Sequence, residues 1–236
     1  MEVIHAGMST PSFNQEKIGF IVHLQLKPED LEKVLATGKA MADRMAEEPA
    51  FINYFLLQDD ADPTRLSLYE TWSGTKDSFL NIEMKRPYRR EYEELLQRAS
   101  VKPRQMEMDW RLIKSNTNLN AGKQEQKFGF FVYIQTKPGL QDEYRAKVEF
   151  VVDQMSGAPT FLNYFFLQDE SDPTKFALYE TWSGTKEEFM DGEMKRSYRH
   201  EYEAALPRLL AKPREVRADW RLLHAEESTA AQSAFA

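Results

Sequence analysis

The chain has 236 residues, no cysteine and a formal net charge of −7. Without cysteine it cannot form disulfides, thiolate metal sites or cysteine nucleophiles, and its acidic balance argues against a nucleic-acid partner, because phosphate affinity comes mainly from clustered Lys and Arg. No apolar run approaches the roughly 18 residues that a membrane span needs, and residues 1–15 lack the apolar core of a signal peptide. We therefore expect a cytoplasmic protein without a membrane partner.

The sequence contains one unit written twice. The stretch LYETWSGTK at residues 68–76 returns unchanged at residues 178–186, so Trp72 and Trp182 lie 110 positions apart. The same offset relates about half of all positions between the two copies without a gap. Two copies indicate a pseudo-symmetric pair, because a solenoid needs at least three. The predicted division is a flexible arm at 1–16, domains at 17–114 and 127–224, a linker at 115–126 and a disordered tail at 225–236.

The first half of each copy has the pattern of a strand, a helix and a strand. Residues 17–26 are apolar on one face and mostly apolar on the other, which predicts a buried strand. Pro28 fits the first position of a helix, where a missing N–H costs nothing. Residues 51–58 then form a second apolar strand, followed by a turn rich in Asp and Pro at 59–64.

The second half of each copy predicts a strand, helical segments and a final strand. Residues 66–72 form the third strand, antiparallel to the second through the turn. Ser73 and Thr75 are candidate caps of a helix through about Met84. Pro87 restarts a helical run, and the last strand follows at 106–112.

The predicted fold class is α+β, with two ferredoxin-like β-α-β-β-α-β repeats. Each antiparallel sheet would carry its helices on one face. Because all four strands are apolar on both faces, the other face needs a second cover. We expect the two sheets to pack against each other as a pseudo-dimeric α/β barrel, with Trp110 and Trp220 of the last strands in the core or the interface.

The element order, the strand ending Tyr-Glu-Thr-Trp and the helix after Ser-Gly-Thr resemble the antibiotic biosynthesis monooxygenase (ABM) domain. This resemblance covers both copies and implies a dimeric α/β barrel with the dimer fused into one chain. It also implies a small oxygenase that uses no metal or flavin cofactor. The expected partners are O₂ and an aromatic small molecule such as a quinol or an anthrone, and a further homo-oligomer stays open.

The chain departs from the known ABM subfamilies at their site residues. A histidine that follows the tryptophan in many quinol-oxidising members is replaced here by Glu83 and Glu193. The first-strand asparagine of haem-degrading members falls on Val22 and its copy, which disfavours haem degradation. The asparagine of the anthrone-oxidising type falls on Leu68 and its copy, so no subfamily's site transfers intact.

Tryptophan and glutamate pairs are the first catalytic candidates. Trp72 and Trp182 could stack on a flat substrate and donate an N–H to a developing oxyanion, or could simply be core aromatics. Glu83 and Glu193 share a helix face with an apolar residue, which would raise their pKa toward that of a general base. The alternative is a rim carboxylate that pairs with one of the cations Lys85, Arg86 and Arg89.

Asparagine and tyrosine pairs complete the candidate site. Asn53 and Asn163 lie in apolar strands, where a buried amide needs hydrogen-bond partners or a ligand, and could assist deprotonation. The remaining candidates are side chains that could line the substrate cavity: His23, Tyr54, Tyr88, Arg89, Tyr133, Tyr164, Tyr198 and Arg199. A solvated face is the alternative for the Arg-containing run.

No metal site is expected, because the four histidines show no paired spacing. The leading hypothesis is a cofactor-independent monooxygenase with one pocket per repeat. The alternative is a non-catalytic small-molecule-binding or accessory barrel, in which the missing histidine marks a loss of chemistry.

Overall fold

The structure is a computed structural model that describes residues 16–118 and 126–228. Within those ranges each repeat contributes four strands and three α-helices. The strands are β1 (Lys17–Gln25), β2 (Phe51–Asp59), β3 (Arg65–Ser73), β4 (Gln105–Thr117), β5 (Lys127–Gln135), β6 (Phe161–Asp169), β7 (Lys175–Ser183) and β8 (Glu215–Glu227). The helices are α1 (Leu31–Met45), α2 (Lys76–Asn81), α3 (Pro87–Ala99), α4 (Gln141–Met155), α5 (Lys186–Asp191) and α6 (Ser197–Leu209).

All eight strands join one closed antiparallel barrel in the order β1-β3-β2-β8-β5-β7-β6-β4. The last strand of each repeat pairs with the first strand of its own repeat on one side and with the second strand of the other repeat on the other side. Thus β4 pairs with β6, with Leu112 opposite Leu167, and β8 pairs with β2, with Leu57 opposite Leu222. The predicted pseudo-dimeric α/β barrel is confirmed.

The turn into α2 shows how local sequence fixes the chain path. Gly74 has a φ of +108°, a conformation that costs a glycine little. Thr75 then caps α2, because its hydroxyl accepts from the Ser78 N–H at 3.2 Å. Ser73, the other cap candidate, is the last residue of β3, and α2 ends at Asn81, before the predicted end at Met84.

The barrel interior is a third apolar core, separate from the two cores between sheets and helices. Aromatic rings from both repeats meet there, with Tyr69 and Tyr179 at a centroid distance of 5.0 Å. Trp110 and Trp220 belong to this core, as predicted. A Cβ at Gly19 would lie 2.8 Å from a Leu167 methyl carbon, so a side chain there would disturb this packing.

A polar cluster crosses from one repeat to the other where β1, β4, β5 and β8 come together. Arg217 lies 3.8 Å from the Glu107 carboxylate and donates to His23 Nε2 at 2.9 Å. Tyr133 donates to Glu107 at 3.2 Å. Glu107 and Arg217 are equivalent positions of the two repeats, and so are His23 and Tyr133. A pseudo-twofold axis relates equivalent positions, and such positions can touch each other only close to that axis. The contact between Glu107 and Arg217 therefore places this cluster on the axis.

Strand ends differ from two predicted boundaries. β4 runs to Thr117, into the predicted linker, and β8 runs to Glu227, into the predicted tail. Cross-repeat pairing extends both strands, since Thr117 lies opposite Asn163 and Glu227 opposite Asn53. Most of the arm, the middle of the linker and the end of the tail lie outside the described residues, and the domain boundaries stay a prediction. No described helix is both long and apolar enough to cross a membrane.

Reversing one charge of the Glu107–Arg217 pair is expected to destabilise the fold more than reversing both. Glu107→Arg would bring two guanidinium groups together and Arg217→Glu two carboxylates. Each is expected to cost about 1 kcal/mol of unfolding free energy, since both side chains are partly exposed. The double variant restores unlike charges and should recover most of that cost. Urea unfolding of wild type, the two single variants and the double variant measures the coupling free energy between the two positions. A double variant that loses the sum of the two single costs would contradict the prediction.

Candidate active site

A cavity of about 700 Å³ lies between the sheet of the second repeat and its helices. Its wall is mostly apolar and comes from β5, β7, β8 and all three helices of that repeat. The apolar lining includes Phe128, Phe130, Val151, Leu178, Phe189, Met194, Val216 and Ala218. One end is formed by the β2–β3 turn of the first repeat, through Asp59, Ala61 and Arg65. The cavity is therefore built from both repeats, although the second supplies most of it.

Glu180 is a buried carboxylate in this wall, with only 3% of its surface exposed. It lies on β7 two residues before Trp182, so both side chains point to the same face of the sheet. The Trp182 indole N–H donates to Glu180 Oε2 at 2.8 Å. Burial raises the pKa of Glu180, while the charge of Arg199 and the indole N–H lower it. The site thus holds an oriented carboxylate in mostly apolar surroundings.

Arg199 is a cation of the cavity wall whose charge acts on the Glu180 carboxylate. Its guanidinium pairs with Glu193 Oε1 at 3.1 Å, and the Tyr198 hydroxyl donates to the same carboxylate oxygen. Burial raises the pKa of Glu193, and Arg199 acts against that rise. Glu193 and Tyr198 therefore orient Arg199 instead of facing the cavity themselves.

Tyr202, Glu203 and Arg214 supply further polar atoms of the cavity. Arg214 donates to Glu203 at 2.8 Å. Burial raises the pKa of Tyr202, so its phenol stays protonated at neutral pH and can act as a hydrogen-bond donor. These groups could orient a polar substituent of a mostly apolar ligand.

The equivalent space of the first repeat is filled. Only about 30 Å³ remains there, roughly enough for one or two water molecules. Glu70 is held in the same way as its copy, with the Trp72 N–H donating at 2.9 Å. Arg89 approaches Glu70 at 3.8 Å. The space between sheet and helices is therefore ligand-sized in the second repeat and nearly filled at the equivalent position of the first. A separate open groove of the first repeat, of about 450 Å³, is lined by Trp72 and Glu83, and one pocket per repeat stays a prediction.

The structure places the predicted tryptophans and glutamates in hydrogen bonds and ion pairs with neighbouring side chains. Trp72 and Trp182 are fully buried, and the N–H that we expected to meet an oxyanion is donated to a glutamate. Glu83 pairs with Arg86 at 3.2 Å, which is the alternative weighed from the sequence. Trp182 and Glu193 do not line the cavity and instead contact the lining residues Glu180 and Arg199.

Asparagine and tyrosine candidates of β2 and β6 lie outside the cavity lining. The Oδ1 atoms of Asn53 and Asn163 are buried without a hydrogen-bond partner in the described structure. Tyr54 and Tyr164 belong to the cores between sheet and helices. The predicted role in deprotonation gains no support from this placement.

The other predicted lining residues divide between the axis, the filled space and the cavity. His23 and Tyr133 belong to the axial cluster, because their alternation along β1 and β5 puts them on the barrel side. Tyr88 packs against the filled core of the first repeat, and Arg89 lines what is left of its space. Arg199 alone of the predicted residues lines the described cavity.

Sequence reasoning missed Glu180 and its copy Glu70. The signal was present, because each is an acidic residue inside an apolar strand and stands two positions before a tryptophan. Alternation along a strand then places carboxylate and indole side by side. A buried carboxylate without a partner is costly, so a nearby N–H donor was to be expected.

A possible ligand group for a cation lies away from the cavity. Asp43, His224 and Glu226 offer ligand atoms within 4.8 Å of one another. Asp43 is already paired with Lys39 at 2.9 Å. We assign this group no role in the site.

The stability of Glu180→Gln relative to wild type is expected to rise with pH. The folded-state pKa of Glu180 lies above its unfolded value, so its favourable contribution is present at pH 4 and is lost as pH rises through the folded pKa. Glutamine keeps an acceptor for the Trp182 N–H and does not ionise. Urea unfolding at pH 4 and pH 8 measures the difference, with exposed Glu187→Gln as the control. If the unfolding free energies of Glu180→Gln and wild type differ by the same amount at both pH values, the pKa of Glu180 is not raised by folding and the prediction is wrong.

Two curated relatives show sequence similarity to the chain. An uncharacterized protein of Synechocystis sp. is 29% identical over 84 residues, which cover 36% of this chain. The match spans 56% of that relative, so the chain covers little more than half of its length. A protein of Pestalotiopsis microspora, named as a candidate monooxygenase, is 25% identical over 103 residues, covering 44% of this chain and 82% of the relative.

Solved structures with the same fold match nearly the whole chain. A candidate monooxygenase from Fusobacterium nucleatum aligns with a TM-score of 0.77 at 13% identity, covering 91% of this chain and 95% of its own. One from Lactobacillus acidophilus gives 0.72 at 14%, covering 90% and 97%. An anthrone oxidase-like protein gives 0.61 at 11%, covering 92% and 95%. At these identities the likeness shows the fold.

The family model named antibiotic biosynthesis monooxygenase matches the chain twice, over residues 18–83 and 128–188. Each match spans the first three strands of one repeat and includes its Glu-x-Trp segment. Together the two matches cover more than half of the sequence. The chain therefore belongs to the antibiotic biosynthesis monooxygenase family.

Proposed function

We propose that the chain is a cofactor-independent monooxygenase that oxidises a quinol-like or polycyclic aromatic small molecule with O₂ in the cavity of the second repeat. The observation that carries the proposal is the Glu180 carboxylate, which faces a mostly apolar cavity and is oriented by the Trp182 N–H. Membership of the monooxygenase family supports the reaction type. The cavity volume falls in the range of about 300–1,000 Å³ typical of small-molecule sites.

Glu180 is the general base of the proposed reaction. It would remove a proton from a phenol or an activated carbon acid, which produces the electron-rich anion that reacts with O₂. Burial favours this role, because a raised pKa makes the carboxylate a stronger base. Arg199, at the same wall, would stabilise the negative charge of the substrate anion.

The oxidation of an anthrone methylene illustrates the balance of the reaction. Glu180 takes one proton, and the carbanion passes an electron to O₂. The two radicals then combine in a C–O bond, and the peroxide takes the proton back from Glu180. Loss of the second methylene proton to Glu180 forms the carbonyl as the O–O bond breaks, and the departing hydroxide takes that proton to leave as water. One oxygen atom enters the product and no external reductant is needed.

Apolar side chains would keep the anion away from bulk water. Phe130, Leu178 and Phe189 offer flat or bulky surface to aromatic rings. A cavity with few waters strengthens the electrostatic effect of Arg199 and protects reactive intermediates.

Oxygen consumption by metal-stripped protein with hydroquinones and anthrones tests the proposal. We expect uptake above the spontaneous rate and a fall of about 100-fold or more in kcat for Glu180→Gln, as for the loss of a general base. Glu70→Gln is the matched control and should keep wild-type activity, because the space around Glu70 is filled.

Equal losses in the two glutamine variants would contradict a site confined to the second repeat. No uptake with any substrate, while aromatic ligands still raise the melting temperature, would support the alternative of a non-catalytic binding protein.

The pH dependence of kcat/KM provides a second test. Trp182→Phe removes the N–H that stabilises the Glu180 carboxylate, so the pKa of the base rises further. Activity requires the ionised base, and the rising limb of the pH profile should move to higher pH. Trp72→Phe is the matched control and should leave the profile unchanged. A profile that keeps its position in Trp182→Phe would contradict the role of Glu180.

A further inference from the structure

The first repeat keeps the polar residues of the second-repeat site. Five polar residues line the second-repeat cavity from β7, from α6 and from the residue just before β8. Each of them has an identical residue 110 positions earlier in the chain. The retained residues are Glu70, Arg89, Tyr92, Glu93 and Arg104, and all of them line the remaining space of about 30 Å³. The two repeats therefore differ in the free volume around the same polar groups.

Methionines fill the first repeat where the second has smaller side chains. Met41 and Met106 line the remaining space, and Met108 packs against the same core. Their equivalents are Val151, Val216 and Ala218, which all line the large cavity. The loss of three thioether side chains, one from the helix and two from the last strand, frees part of the added volume, since interiors are close-packed.

A second difference changes the packing of the helices. Gly38 on α1 packs close to Tyr92 on α3, and a Cβ at Gly38 would lie 3.2 Å from the tyrosine ring. The equivalent residue of the second repeat is Val148 on α4, which lines the cavity. A valine there requires more room between the two helices, so the helical layer of the first repeat can close more tightly.

Arg89 has unused hydrogen-bonding capacity in the filled space. It is 3% exposed, and its Nε and one terminal nitrogen have no hydrogen-bond partner in the described structure. Glu70 is 3.8 Å away, and a methionine sulfur accepts at 3.8 Å from the other terminal nitrogen. Buried guanidinium groups are normally satisfied. This arrangement is consistent with a site that has lost the ligand its polar groups would meet.

We propose that the first repeat contains a latent second binding site for the same class of aromatic ligand, closed by Met41, Met106 and Met108. The ligand class rests on the proposed function, whereas the closure rests on the packing alone. It follows that the natural chain binds one ligand, in the second repeat, and that a few methionines decide this number.

The test opens one site and closes the other. The probe is 1,8-dihydroxyanthraquinone, a flat three-ring aromatic that needs no further oxidation, titrated calorimetrically. We expect one probe per chain for wild type and two for Met41→Val/Met106→Val/Met108→Ala. The reciprocal variant Val216→Met/Ala218→Met should bind none. The combination of all five substitutions should bind one probe, now in the first repeat.

Stoichiometry that stays at one in the opened, folded variant would overturn the proposal, as would binding of two probes by wild type. If wild type binds no probe, the proposed ligand class fails, and xenon under pressure decides the latent site separately. Crystals of the opened variant should then show xenon between the first-repeat sheet and α1, and a collapsed space without xenon would overturn the proposal. If the triple variant does not fold, the same xenon experiment is carried out on crystals of Met108→Ala. Xenon between the first-repeat sheet and α1 would again support the proposal, and its absence would overturn it.

Discussion

The pairing of each final strand with both repeats is the constraint on which the other features depend. β4 joins β1 to β6 and β8 joins β5 to β2, which closes the barrel and covers the inner face of both sheets. The outer faces remain for the helices, and the cavity with Glu180 lies between the helices and the sheet of the second repeat. The same pairing brings the first-repeat turn with Asp59 and Arg65 to one end of this cavity. A candidate site of one repeat is thus completed by the other.

The same carboxylate–indole pair occurs in two different surroundings. Glu70 and Glu180 each accept an indole N–H at nearly the same distance, yet only Glu180 faces a cavity large enough for an organic ligand. The hydrogen bond that orients the carboxylate therefore occurs with or without a free volume that could hold a ligand. In each repeat the Glu-x-Trp segment of the third strand orients the carboxylate. Side chains of the last strand and of the first helix determine the volume of the cavity next to it.

Much of the fold, and little of the site, could be predicted from the sequence. The internal repeat, apolar strands and turn residues led to the barrel and to Trp110 and Trp220 inside it. Strands that are apolar on both faces do not reveal which face meets the helices, which is why His23 was assigned to a pocket but lies on the barrel side. Cavity volume was also hidden, because Met108 and Ala218 count equally as apolar in any pattern and differ only once packed.

The unlike charges at the axis have a consequence for the history of the chain. A homodimer of the first repeat would set Glu107 against a second Glu107, and a homodimer of the second would set Arg217 against itself. Each half now fits the other better than a copy of itself, so the two halves are no longer interchangeable. Separation of the duplicated gene into identical subunits would place like charges on the twofold axis, which makes the fusion hard to reverse.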